Sequence, residues 1–122
     1  MKVLLVVCNI NLAYHRSGKS RLRWESTHRE GLASIASTLD KAGIQASLMK
    51  VEAGFSESAF VTLFNEHFSN YDIVGFTINT VDLPEVGRLS YLVKQNHPHI
   101  VTIGGGVHPT LSPEETIALP GL

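Results

Sequence analysis

Three short runs of almost unbroken apolar residues dominate this chain: Val3 to Cys8, Ile73 to Ile78 and Ile100 to Ile103. A strand with one wet face alternates apolar and polar side chains. A run without alternation predicts a strand buried on both faces, the situation of a parallel sheet with helices on either side. The intervening segments carry a different period. Leu32, Ile35, Ala36 and Leu39 recur at the spacing of one helical face, and Gly43 stands where a glycine commonly follows a helix. Ile44 to Val51 alternates more than the other runs and is expected nearer a sheet edge.

Ser56 is placed to cap the next helix, with Phe60, Leu63, Phe64 and Phe68 along its inner side. An aromatic stripe at this spacing reads as core. After the strand from Asp72 to Ile78, Asp82 is expected to open a helix, with Pro84 in its first turn and Glu85 three residues on in a capping-box arrangement. Val86, Leu89, Leu92 and Val93 would form its buried face. Asn96 to His99 is a turn before the fourth strand, Ile100 to Ile103.

The resulting β-α-β-α-β-α-β-α alternation predicts an α/β fold, a flavodoxin-like (Rossmann-like) open parallel sheet of order 2-1-3-4 with helices on both faces. Ligands of such sheets bind beyond the carboxyl ends of the strands, where the strand order reverses; here that point lies between strands one and three. The sequence stops at Leu119-Pro120-Gly121-Leu122, where a fifth strand is expected, so residues 1–122 read as one domain and a fragment of a longer protein.

A net charge of −1, with 43% hydrophobic and 17% charged residues, gives no electrostatic case for nucleic acid or an anionic membrane. The basic stretch from His15 to Arg23 reads as a solvated loop. The opening apolar run is too short for a signal peptide and no stretch approaches the ~20 residues of a membrane span, so a cytoplasmic protein is expected. Cys8 is the sole cysteine, which excludes an intrachain disulfide and a cysteine-based metal cluster within these residues.

The strongest functional signal follows the fourth run: Gly104-Gly105-Gly106-Val107-His108-Pro109-Thr110, then Ser112-Pro113-Glu114-Glu115, which reads as a helix start. Glycines at the carboxyl end of a strand let backbone approach a ligand where a Cβ would collide. Three loops should converge at that edge. The first supplies Asn11, Tyr14, His15 and Gly18, and the second Thr77, Asn79, Thr80 and Val81. The third supplies Gly104, Gly105, Gly106, His108 and Pro109. Polar groups beside apolar ones suit a large, partly apolar ligand with a polar periphery.

Other ligands of this scaffold meet the wrong residues. A phosphorelay receiver needs carboxylates after strands one and three, where this chain has Cys8-Asn9 and Thr77-Ile78-Asn79. A dinucleotide fold needs G-x-G-x-x-G after its first strand, and Gly18 stands alone there. A flavodoxin needs a compact hydroxyl- and glycine-rich phosphate loop, which Asn9 to Tyr14 is not.

The segment from Asp72 to Glu115 resembles the cobalamin-binding domain that precedes the catalytic barrel in cobalamin-dependent radical S-adenosylmethionine enzymes, a group that includes relatives of the anaerobic magnesium-protoporphyrin ester cyclase. The residues carrying the resemblance are Asp72 to Thr77, Lys94 to Pro98, and above all Gly104 to Thr110 with Pro113-Glu114-Glu115. The resemblance implies cobalamin as cofactor, its corrin ring over the strand edge and its nucleotide tail between the loops. Thr77, Asn79 and Thr80 would bond corrin amides or the tail, Gly104 and Gly105 would let the tail close to the sheet, and His108 would contact the tail or a propionamide. It also implies a radical S-adenosylmethionine barrel in cis, with a 4Fe–4S cluster and S-adenosylmethionine, performing methyl transfer or a radical cyclisation or rearrangement. The C-x-x-x-C-x-x-C motif of that barrel is absent here, so these residues alone are not expected to be an enzyme.

Many cobalamin domains outside the radical group use D-x-H-x-x-G to place a histidine below cobalt. His15-Arg16-Ser17-Gly18 matches part of it, but Ala13 stands where the aspartate should be, which removes the carboxylate that orients the imidazole. His15 is therefore a candidate cobalt ligand without its support, and a packing or hydrogen-bonding role is the one expected of it. His97 and His99, at the opposite edge, lack the further ligands a zinc site needs. The alternative function is a cobalamin-like domain without cofactor, serving as an interaction module; a standalone coenzyme enzyme would need a catalytic group not found here.

Overall fold

The computed structural model describes residues 1–9, 21–52 and 56–122, with backbone alone for Asn9 and residues 21–30. Four strands, β1 (Lys2–Asn9), β2 (Gln45–Glu52), β3 (Ile73–Thr77) and β4 (Val101–Gly105), form one parallel sheet in the order β2-β1-β3-β4. The helices are α1 (Arg21–Lys41), α2 (Glu57–His67), α3 (Leu83–Asn96), α4 (Val107–Leu111) and α5 (Pro113–Ile117), with a 3₁₀ turn at Thr80–Asp82. This is the expected flavodoxin-like architecture.

β1 is central, and its unbroken apolar run divides between two cores. Leu4, Val6 and Cys8 point into the larger one, packed with Met49, Val51, Phe60, Phe64, Val74, Phe76, Ile78, Val86, Leu89 and Val93. Val3, Leu5 and Val7 face the other way, onto Leu32 of α1 with Ala36, Leu39 and Ile44 around it. That double burial is why the run does not alternate. β2, at the edge, alternates as expected, with Met49 and Val51 buried between exposed Leu48, Lys50 and Glu52.

Local signals account for most boundaries. The Ser56 hydroxyl accepts the Ala59 N–H at 3.1 Å and caps α2. Gly43, at φ 76°, takes the left-handed turn after α1. At the amino edge Asp72 ties β3 to β1, accepting the Lys2 N–H on its carboxylate at 2.7 Å while its own N–H reaches the Lys2 carbonyl at 3.0 Å.

Several expectations need correction, among them burial of the fourth strand on both faces: Val101 and Ile103 are 53% and 48% exposed, β4 being at the sheet edge. The 3₁₀ turn precedes α3, so Asp82 does not cap that helix with its side chain; its carboxylate reaches back to the Asn79 N–H at 3.1 Å. Glu85 consequently pairs with Arg88 at 2.6 Å instead of completing a capping box. β4 runs two residues further than the apolar run, taking in Gly104 and Gly105, because backbone pairing with Phe76 and Thr77 continues where apolar side chains stop. Val107 to Leu111 is a helical turn and not open loop, closed by the Ser112 N–H on the His108 carbonyl at 2.7 Å. Ile35, expected in the buried face of α1, is 50% exposed because it overhangs a gap between helix and sheet.

Candidate functional site

β3 and β4 end side by side, and their extensions are cross-linked. The Ile78 N–H donates to the Gly105 carbonyl at 2.8 Å, and the His108 N–H returns to the Ile78 carbonyl at 3.0 Å. Loop 77–82 and the glycine segment therefore form one connected edge. Within it, Asp82 is 1% exposed and its bond to the Asn79 N–H fixes the second loop.

The three consecutive glycines have three different reasons. A Cβ on Gly104 would lie 2.9 Å from Ile78 Cδ1, 3.2 Å from Leu122 Cδ1 and 3.3 Å from Thr116 Cγ2, so its hydrogen makes room for α5 and the chain end. It faces away from the cleft. A Cβ on Gly106 would meet the backbone of Ile78 at 3.1 and 3.2 Å, and φ 113° there is glycine's own territory. Gly105 is different: a Cβ there meets no atom of the described residues within 4 Å. Among the described residues neither packing nor backbone conformation requires that glycine.

Gly105 opens onto a cavity of about 690 Å³ between α1 and the β1–β3–β4 part of the sheet. Leu32, Ile35 and Leu39 form its helical wall, and Val3, Leu5, Ile73, Gly75 and Ile103 its floor. Thr77, Asn79, Gly105, Gly106 and Val107 surround its carboxyl-edge end. The walls are thus apolar and the polar groups are confined to one end, beside backbone of two glycines. Gly75 was not anticipated as a site residue. Its signal was a glycine inside a strand, which marks a close approach: a Cβ there would lie 3.3 Å from Leu5 Cδ2 and raise the floor.

Among the other expected residues, Thr80 and Val81 are exposed on the rim, and Pro109 is half-buried in α4. His108 is 4% exposed and turned inward. Its Nδ1 lies 3.1 Å from Thr80 Oγ1 and its Nε2 lies 3.3 Å from Glu115 Oε2, the latter off the hydrogen-bonding direction. Its ring is a strut between the two loops. Asn11, Tyr14, His15 and Gly18 lie outside the described residues. Cys8 is buried beneath the edge, where desolvation, and then the charges of Asp82 and Glu85, push its thiol up to about 12. That excludes a thiolate nucleophile at neutral pH.

At the amino edge, His97 Nε2 meets Asn65 Oδ1 at 2.6 Å and stacks near Phe64, while His99 lies 3.2 Å from the Ser69 carbonyl. Among the described residues no group of three His, Cys, Asp or Glu side chains could hold a metal ion, and no helix is long and apolar enough to cross a membrane.

The sequence pattern of the B12 binding domain matches residues 25–122. The chain belongs to the B12-binding domain family. No curated protein and no solved structure matches it. For a B12-binding domain the arrangement is chemically apt. The cavity, about 690 Å³, falls within the ~300–1,000 Å³ range of small-molecule sites. The open cradle at Gly105 is the structural test, since a side chain would fit there sterically and none is present.

Proposed function

We propose that this B12-binding domain holds cobalamin across the carboxyl edge, with one end of the cofactor in the cavity behind Gly105 and the corrin periphery over Thr77, Asn79, Thr80 and Val81. The observation that carries the reading is the unfilled space at Gly105. A strand-end glycine required by neither packing nor φ is most simply explained by a ligand that occupies the missing side chain's place. Thr77 and Asn79 supply hydrogen-bonding groups at the cavity mouth, and the apolar walls exclude water from whatever enters.

Bound cobalamin would supply a cobalt able to carry a methyl group or exchange an electron. The chain's own residues bind and orient. None of the described side chains offers itself as acid, base or nucleophile in the cavity, so catalysis belongs to a partner domain. The resemblance of Gly104 to Glu115 to the radical S-adenosylmethionine group supports a longer, cytoplasmic protein, residues 1–122 being its cofactor domain. A barrel in cis would bring a 4Fe–4S cluster and S-adenosylmethionine for methyl transfer or radical cyclisation or rearrangement. His15, without a carboxylate at Ala13, is a candidate for the lower cobalt position.

A second reading has an observation of its own. Ile35, Ile103 and Val107 are each about half exposed or more beside the cavity, an apolar face that suits another protein surface. In that reading the domain joins subunits and holds no cofactor. Gel filtration of the domain after incubation with hydroxocobalamin separates the two. Corrin absorbance eluting with protein at one per chain is expected. Absorbance eluting wholly with small molecules overturns the cofactor reading.

A further inference from the structure

Thr80 is exposed at the ligand edge, but its hydroxyl is held from beneath by a side chain that is not. The His108 ring is 4% exposed, with Nδ1 3.1 Å from Thr80 Oγ1 and Nε2 3.3 Å from Glu115 Oε2. Nε2 is fully buried and, among the described residues, has no hydrogen-bond partner in good geometry. The polar group placed against it among the described residues is the Glu115 carboxylate, which when ionised accepts and never donates. A proton on Nε2 is attracted to that charge; a lone pair on Nε2 would be repelled by it. A neutral imidazole carries one proton, so Nδ1 is left as an acceptor. The Thr80 hydroxyl must then point its hydrogen inward, at Nδ1. Its oxygen lone pairs face outward.

We propose that Glu115 and His108 fix the polarity of Thr80, so that the ligand edge presents a hydrogen-bond acceptor there and selects a ligand group bearing N–H, such as a primary carboxamide, over a carboxylate or phosphate. An anionic group at the same place would meet lone pairs and find no proton, whereas a carboxamide donates directly. His108 is a positioning residue in this scheme, acting through Thr80 without touching the ligand. The polarity of Thr80 depends on the three side chains alone; the identity of the amide-bearing ligand rests on the cobalamin reading, whose corrin carries amide side chains.

Two measurements decide it. Long-range ¹H–¹⁵N correlation spectra of the ¹⁵N-labelled domain at neutral pH, with His108→Asn to assign the signals, should report the Nε2–H form at His108. The Nδ1–H form or an imidazolium overturns the relay. Hydroxocobalamin titrations should show Thr80→Val binding about 2- to 12-fold more weakly than the unsubstituted domain, the loss of one neutral hydrogen bond, with Thr80→Ser restoring affinity. Glu115→Ala should shift His108 towards Nδ1–H and weaken binding similarly, with no further loss when combined with Thr80→Val. Thr80 and Glu115 are both exposed, so these variants keep the core intact. Cobalamin derivatives with single side-chain amides hydrolysed to acids should include one that binds less well than cobalamin to the unsubstituted domain and loses that penalty in Thr80→Val. Equal binding of cobalamin and all the acids overturns the selectivity. If the unsubstituted domain binds no corrin at all, the cofactor reading and the ligand half of this proposal fall together, while the histidine spectrum still judges the relay.

Discussion

Substitution of the three glycines one at a time separates folding from binding, because each hydrogen stands in for a different obstacle. In Gly105→Val the new side chain enters open space, and Gly105 ends a β-strand, a setting that β-branched residues favour. Stability should hold or rise by roughly 0.4–1 kcal/mol, since the unfolded chain loses freedom. Cobalamin, if it occupies that space, must shift or clash at a cost of about 1–3 kcal/mol by analogy with an overfilled core, which is roughly 5- to 150-fold in Kd. Gly104→Ala reverses the pattern. Its Cβ would press on Ile78, Leu122 and Thr116 side chains at 2.9 to 3.3 Å. About 1–3 kcal/mol of stability should be lost, lowering Tm by roughly 4 °C per kcal/mol, with affinity of the folded fraction little changed. Gly106→Ala adds backbone strain of about 1–3 kcal/mol and should impair both. Thermal melts and hydroxocobalamin titrations on the same preparations give the answer. A Gly105→Val domain that binds as tightly as the unsubstituted one would refute the assignment of that space to the ligand.

Other consequences follow from packing and charge. Cys8 should resist alkylation in the native state at pH 8 and react only when denaturant opens the core, which a time course with iodoacetamide reads directly. Because burial pushes the folded thiol up to about 12 from its ordinary 9.0, its contribution is intact below pH 9; stability should decline as pH rises from there towards 12, and a Cys8→Ala domain should show less of that decline in urea melts. Phe64→Ala, at a residue 2% exposed between α2 and the sheet, should cost about 3–5 kcal/mol in the same melts. Asp82→Ala should free the Asn79 N–H, cost about 1–3 kcal/mol, and speed amide exchange across residues 77–82.

Much of this molecule could be read from one-dimensional pattern. The unbroken run Val3 to Cys8 specified a central parallel strand because both its faces are buried, and the helical spacing of Phe60, Leu63 and Phe64 specified what covers one of them. Strand order followed from the rules of βα connection. The ends of elements were less legible. Gly104 and Gly105 look like loop residues by composition, yet they pair with Phe76 and Thr77 because a ladder needs only backbone. Asp82 looks like a helix cap, yet the 3₁₀ turn before α3 puts its carboxylate within reach of Asn79 instead. Sequence also groups Gly104, Gly105 and Gly106 as one motif. Only the positions of Ile78, Thr116 and Leu122 show that a single one of them faces an unfilled space. The inward turn of His108 was equally hidden, since it depends on Glu115 arriving from the following helical turn. The apolar wall of the cavity was legible as a helical face, and Leu32, Val3 and Leu5 are indeed buried, but the gap beneath Ile35 has no sequence signature.

The most direct test of the account is a ¹H–¹⁵N titration of the labelled domain with hydroxocobalamin, followed amide by amide. The account predicts the largest changes at Thr77, Asn79, Thr80, Gly105 and Gly106, with Gly75 responding from beneath and the His97–His99 edge silent. A spectrum unaltered at saturating corrin, or one altered only along the exposed strand β4 or the amino edge, would contradict it.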